Sequence, residues 1–409
     1  MLAEALPKKI GASSKVAIVN MVLLVNAFTW YFYAFNFLRA ITNEAAITEL
    51  ESLMIWGINF VGIAVLAIFG ASMISRLKRR VPFLLSWMFS GVIFSLTPLV
   101  LDLTTSAGLM VVSAVFGAYF GLGMPICMGY FAASTVTENR SRLGGIIFLL
   151  TGLGFSLLGS IGVSDIMVHA FVLSSWRAVG SLILLFLKAD EKPIEKNDKV
   201  SYGFIASNRS FILYFIPWCM FSLVNYLAVP VNSEVFPVEF VRFSSTIEGI
   251  LAGIFAVVWG FLADFFGRKR LAVGGFAIVG LGYAVLGMYP GNIVGWWFYT
   301  IVDGIAWGAF YAIFLFTLWG DLAQNQSSDK YYAIGGLPYL ISNFMRLSLG
   351  SYVADHVTEN AVFSFASIFL FLAVLPLIYA PETLPEKRIR ERQLKGYIKK
   401  AENIKQKYA

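Results

Sequence analysis

The sequence predicts an all-α polytopic membrane protein of twelve helices, arranged as two pseudo-symmetric six-helix bundles. Three observations carry that expectation. The 409 residues are 58% hydrophobic and only 13% charged, with a mean hydropathy of +0.74. A soluble fold has too little interior to hide so much apolar surface. Apolar runs of membrane-span length recur along the whole chain. A basic loop after the second run also returns, in imperfect copy, after the eighth.

Taken in order, the candidate spans lie at 16–38, 53–75, 81–101, 107–133, 143–164 and 167–187, then at 210–229, 243–264, 271–289, 292–319, 333–354 and 361–380. Each offers about the 20 residues that a bilayer crossing needs. The sixth is the least regular, because Ser175-Trp176-Arg177 falls either inside the helix or at its outer mouth. With the N-terminal segment 1–15 inside, 27 of the 31 Lys and Arg residues fall on the cytoplasmic side, and the outer loops keep only Arg39 and Arg242. That bias puts both termini in the cytoplasm of a multi-pass protein expected in the plasma membrane. The charged segment 188–209 reads as a cytoplasmic linker between an N-terminal bundle, 16–187, and a C-terminal bundle, 210–380. The basic stretch 381–409 reads as a cytoplasmic tail, either an amphipathic helix on the anionic inner leaflet or disordered.

Composition also narrows the chemistry. Cys127 and Cys219 both sit inside apolar runs, as small packing residues do. His169 and His356 are isolated, so no metal centre and no cofactor are expected, and no enzyme activity. The net charge of +7 follows from the cytoplasmic loops and makes no case for nucleic acid. No Gly-x-x-x-x-Gly-Lys-Ser/Thr run is present to drive a pump with nucleotide. Lys8, Lys9 and Lys15 precede a run of full span length, so no cleavable signal peptide is visible.

The sharpest local signal is Gly260-Phe-Leu-Ala-Asp264-Phe-Phe-Gly267-Arg268-Lys269-Arg270. Gly260 lets a neighbouring helix approach closely. Gly267 can close a helix in a positive-φ conformation. Arg268, Lys269 and Arg270 face the negative pole of that helix end. The earlier copy is Gly70-Ala-Ser-Met-Ile74-Ser-Arg76-Leu77-Lys78-Arg79-Arg80. A parallel duplication of this kind places the solute path between the halves, near the midplane.

With these residues the chain resembles the major facilitator superfamily. Gly260, Asp264, Gly267, Arg268, Lys269 and Arg270 are similar to its loop motif between spans 8 and 9. Ala380-Pro381-Glu382-Thr383 is similar to the ending of its sugar-transporter branches, and Ser175-Trp176-Arg177 to the Trp-Arg found where span 6 begins. The likeness covers roughly 16–385. It implies the superfamily's two-bundle fold, alternating access, and a cytoplasmic latch made by the acidic residue and the basic loop. It also implies that Arg177 lies near the outer mouth and is not buried. In the first copy Ile74 replaces the acidic residue and Leu77 the glycine, so only the C-terminal half is expected to make the full latch. Phe265 replaces a usual basic residue in the second copy. Span 4 lacks the family's buried Arg, which leaves the coupling mode open; Gly117 and Gly121 keep only its small-residue spacing.

Charges inside spans mark function by default. Asp303 and Arg346 lie at matching depths in spans 10 and 11, so they could pair. Arg346 would then bind an anionic group or hold Asp303 ionised, and Asp303 or Glu248 would carry a proton. A permanent Asp303–Arg346 bridge that sets helix packing is the plainer reading. Asn26 and Trp30 share one face of span 1, and Asn225 occupies a comparable depth in span 7. With Asn343 and Trp307 they could line a path for a polar solute, or simply hydrogen-bond between helices. Asp321 could act as a gate with basic residues, or sit as a solvated loop charge.

These features together lead to a monomeric secondary transporter. It would move a small polar solute, a sugar or organic anion, by alternating access with proton coupling, and its partners would be the solute, protons and the lipid bilayer. A uniporter or a drug or metabolite exporter of the same fold is the alternative on mechanism. A non-transporting membrane sensor is the alternative of another class.

Overall fold

The computed structural model describes residues 10–384 except 75–76, 78, 162–164, 190, 192–199 and 325–326; the side chains of 10–13, 232–234 and 351 are also outside it. The expected surface helix of the tail lies outside the described residues. Among those described, the chain is helical without a strand. The first half runs α1 (Ile10–Glu44), α2 (Glu49–Met73), α3 (Val81–Phe94), α4 (Ser106–Ser134), α5 (Thr137–Gly159) and α6 (Ile166–Leu187). After a short linker helix, Tyr202–Ser207, the second runs α7 (Arg209–Val235), α8 (Val238–Phe266), α9 (Arg268–Met288) and α10 (Ile293–Leu322). Two broken helices follow, α11 (Ser328–Gly335 and Leu337–His356) and α12 (Glu359–Leu372 and Val374–Tyr379).

Polar caps start these helices where the apolar runs begin. Thr48 and Glu51 form a capping box on α2, and Thr105, Asp165, Asn208 and Asn292 cap α4, α6, α7 and α10. Eleven helices among the described residues are long and apolar enough to cross a membrane. The exception is α11. It starts at Ser328, before the expected 333, and breaks at Gly336, because Pro338 in the next turn removes a backbone donor. Within α10, Tyr311–Thr317 winds as a wider π-helix. There Thr317 Oγ1 donates to the Ala312 carbonyl at 2.7 Å.

The two halves repeat one packing scheme. In the first, α2 packs on α4, α3 on α6, and α1 on α5 and α6. In the second, α8 packs on α10, α9 on α12, and α7 on α11 and α12. Small residues at matching places allow the closest pairs. A Cβ on Gly117 or Gly121 would run into the backbone of Asn59 or Ile63 on α2. On α10, a Cβ on Gly304 or Gly308 would meet the backbone of Glu248 or Phe255 on α8. Such close approach is the main attraction available where lipid is as apolar as the side chains.

The halves meet chiefly through α5 on α8, and through α11 on α2 and α4. The α5–α8 contact is a wedge. Gly260 abuts the Ser141 carbonyl and Gly145 the Ala256 carbonyl. Farther along, Gly253 meets only the Leu149 side chain, and Gly152 and Gly249 face open space. Along α5 and α8 the halves therefore touch at the end bearing the basic loops, here called the basic end, and part toward the other.

This wedge gives opposite signs to two like substitutions. Gly145→Ala should destabilise by about 1–3 kcal/mol through overpacking, whereas Gly152→Ala should be neutral or stabilise by up to ~1 kcal/mol through helix propensity. Thermal unfolding of both variants in detergent checks this; equal melting temperatures would contradict the wedge.

Candidate functional site

At the basic end, buried charges pair across the two halves. Asp264, at the end of α8, accepts from the backbone N–H groups of Ser141 (3.2 Å) and Arg142 (3.0 Å) on α5. Gly267 takes φ 102°, a region that favours glycine, and turns the chain directly into α9. Arg268 is fully buried. It pairs with Asp264 at 2.9 Å and Asp321 at 3.1 Å, and donates to the Thr137 carbonyl in the other half. Asp321 also pairs with Arg140 of α5. Lys269 Nζ donates to the Ile378 carbonyl, while the Arg270 side chain is exposed.

The first half contributes more than its sequence suggests. Ile74, where an acid was missed, is buried. Arg80 instead pairs with Asp329 of α11 at 2.7 Å and with Glu191 at 3.6 Å. Burial opposes the Arg80 charge, but Asp329 and Glu191 outweigh it, and its pKa is raised. The expectation of a latch from the C-terminal half alone is corrected: both halves latch, the first through a residue six positions past Ile74. Glu191 and Glu382 play matching parts, accepting from the backbone N–H groups that open α3 (Arg80, Val81) and α9 (Arg268, Lys269).

Next to this closure lies a cavity of about 120 Å³ on the seam between the halves. Helices α1, α2 and α4 line it from one side and α7, α10 and α11 from the other. Phe28, Tyr31, Phe120, Trp218, Tyr311 and Phe314 are among its walls. No charged side chain, amide, serine or threonine is among the lining residues.

The polar residues expected along the path lie inside the bundles instead. Asp303 is 1% exposed and accepts from the Tyr299 hydroxyl at 3.4 Å. Its other oxygen, Oδ1, is buried without a hydrogen-bond partner, and a Cβ on the adjacent Gly304 would meet the Glu248 backbone on α8. The Tyr299 and Tyr283 hydroxyls lie 3.2 Å apart, so the one Tyr299 proton serves either Tyr283 or Asp303, and Tyr283 donates to Asn225 Oδ1 at 3.3 Å. A polar chain thus crosses the second half from α7 through α9 to α10.

Asp303 and Arg346 do not form the expected pair. Their depths match, but α10 packs on α8 and α9, whereas α11 packs on α7. Arg346 lies over the Tyr226 ring, 5.4 Å from its centroid, and among the described residues no carboxylate pairs with it. Asn343 is buried, with its Oδ1 unpartnered.

In the first half, Arg177 is fully buried, not at an outer mouth. Its guanidinium lies 4.4 Å from the Trp87 ring and 5.8 Å from that of Trp30. It donates to Asn26 Oδ1 at 2.7 Å and bonds the Tyr119 hydroxyl. Asn26 also donates to the Trp176 carbonyl, and Trp30 donates to Ser95 Oγ. Asn26 and Trp30 do share a helix face, but that face looks into the bundle. A Cβ on Gly91 or Gly180 would collide with Arg177 and Tyr119 or with Asn26, so the cage is built around these groups.

A family model described as Major Facilitator Superfamily matches residues 200–405, just over half of the chain. The chain belongs to this superfamily of membrane transporters. Its fold is similar to that of the proton:xylose symporter XylE bound to 6-bromo-6-deoxy-D-glucose. That likeness has 15% identity and a TM-score of 0.68 over 91% of this chain and 97% of that one. The E. coli fucose:proton symporter FucP is similar at 10% identity, with a TM-score of 0.67 over 88% and 98% of the two chains. FucP in the outward conformation gives 12% identity and 0.62 over 90% and 99%. At such identities the likeness is one of fold. No curated protein matches the chain in sequence.

Asp321 neutralises two buried guanidiniums, so Asp321→Asn should cost about 3–5 kcal/mol. The same change at Asp102, an exposed loop carboxylate, should cost well under that. Thermal unfolding in detergent compares the two, and equal losses would remove Asp321 from the centre of the closure.

Proposed function

We propose that this chain is a secondary carrier of the plasma membrane that moves a small neutral solute by alternating access, coupled to protons. The observation that carries the reading is the seam cavity, walled by both halves and shut at one end by ion pairs that cross between them. Rocking the halves apart at that end would break those pairs and open the cavity to the other side. The basic end is assigned to the cytoplasm, with both termini there, on the distribution of Lys and Arg. One chain carries both walls, so a monomer suffices.

The solute is neutral because no charge lines the cavity. This favours an uncharged solute, the class to which the xylose and fucose of the neighbours' names belong, over an organic anion, and Arg346 and Arg177 stand outside the lining. The proton is assigned to Asp303, a buried carboxyl at the α8–α10 contact, next to Gly304 on which the Glu248 backbone packs and on the same helix as Asp321. Release or uptake of that proton would alter the packing of α8 and α10, the two helices that also carry Asp264 and Asp321.

In proteoliposomes, a pH gradient should drive solute accumulation by the wild type. Asp303→Asn should reduce accumulation to the level of empty liposomes while leaving downhill exchange measurable. Accumulation that survives this change would assign the coupling elsewhere, and a wild type indifferent to the gradient would favour a uniporter.

A further inference from the structure

The carrier reading leaves the solute class open, and the cavity wall narrows it. The wall offers two flat aromatic faces, one from each half. Tyr31 and Phe120 stack at 3.9 Å with 13° between planes, and Trp218 and Phe314 stack at 5.2 Å with 9°. Its polar groups are few and several are already engaged. Trp218 donates to the Gly335 carbonyl and Tyr332 to the Phe316 carbonyl. Tyr31 from one half and Tyr311 and Tyr339 from the other complete the polar lining. The amides that would serve a polyol are held within the bundles: Asn26 by Trp176 and Arg177, Asn59 by the Ser113 carbonyl, Asn225 by Tyr283.

A sugar entering this cavity would bring several hydroxyls to a wall with three tyrosines to answer them. Each buried hydroxyl left unpaired lowers affinity by roughly ten-fold. A single aromatic ring needs no such partners and gains from stacking on either face. We propose, resting on the carrier reading above, that the cavity takes a neutral single-ring aromatic compound with one or two hydroxyl groups. Its ring lies between the Tyr31–Phe120 and Trp218–Phe314 faces, and a phenolic hydroxyl joins those of Tyr31, Tyr311 and Tyr339. This site would select for a phenol over both a polyol and a ring without a phenolic hydroxyl.

The test uses the full chain in detergent, with binding measured by calorimetry for four probes: 4-hydroxybenzyl alcohol, benzyl alcohol, D-xylose and L-fucose. 4-Hydroxybenzyl alcohol should bind at least roughly ten-fold tighter than either sugar. Tyr311→Phe should weaken it by about five-fold or more while changing benzyl alcohol by less than about two-fold. If Tyr311→Phe does not fold, Tyr31→Phe makes the same comparison. A sugar that binds as tightly as the phenol, or no binding by either aromatic probe, overturns the aromatic class. Counterflow of whichever probe binds, in proteoliposomes, separates the two claims: sugar binding with counterflow defeats the solute class and keeps the carrier, and binding without counterflow defeats the carrier itself.

Discussion

A charge withdrawn from water at a helix end has to be met by an opposite charge or an aimed donor, and here most of those meetings join one half to the other. Asp321 answers Arg140 and Arg268, Asp329 answers Arg80, and Asp264 answers the α5 backbone. None of these groups is stable alone in that setting, because removing one partner strands the other. The closure is therefore collective. It holds while the halves touch, and on the proposed motion it would be rehydrated as a whole when they part.

The distribution of polarity inside the molecule follows from the same rule. Each bundle keeps its hydrogen-bonding groups in its own interior: the tyrosine and carboxyl chain around Asp303 in one, the cage around Arg177 in the other. Such groups bind helices within a bundle. The seam is left to aromatic rings, which can slide against one another without breaking directional bonds. Two stiff bodies with a smooth face between them are what a rocking motion requires. The glycine pairs on α4 and α10 add stiffness by bringing backbones together at the same place in each half.

How much of this the sequence disclosed depends on the range of each interaction. The spans, their order and the two-bundle plan were legible, because hydropathy is local and the basic loop repeats. Asp264 with Arg268 was legible too, being four residues apart across the Gly267 turn. Arg140 with Asp321 spans 181 positions and Arg80 with Asp329 spans 249, and no local pattern announces either. The pairing expected for Asp303 and Arg346 went astray because depth in a helix can be read from spacing while direction around it depends on the neighbours. Of the two readings open for Asn26 and Trp30, the interhelical one holds: their shared face hydrogen-bonds to α6 and to Ser95. For Arg177 the span left both places open and the structure overturns the outer mouth that the resemblance implies; a cation in an aromatic cage needs no acid nearby, and aromatic residues are too common here to signal one.

That cage has an electrical consequence. Among the described residues no carboxylate neutralises Arg177, so the first half holds a bare positive charge within the low-dielectric layer. Any voltage across the membrane acts on it, at ~2.3 kcal/mol per elementary charge for each 100 mV traversed. Whatever fraction of that drop the cage crosses as the halves rock enters the balance between the two orientations. On the proposed rocking motion, a membrane potential would tilt the balance by however much of the field the cage crosses, whether or not an ion travels with the solute.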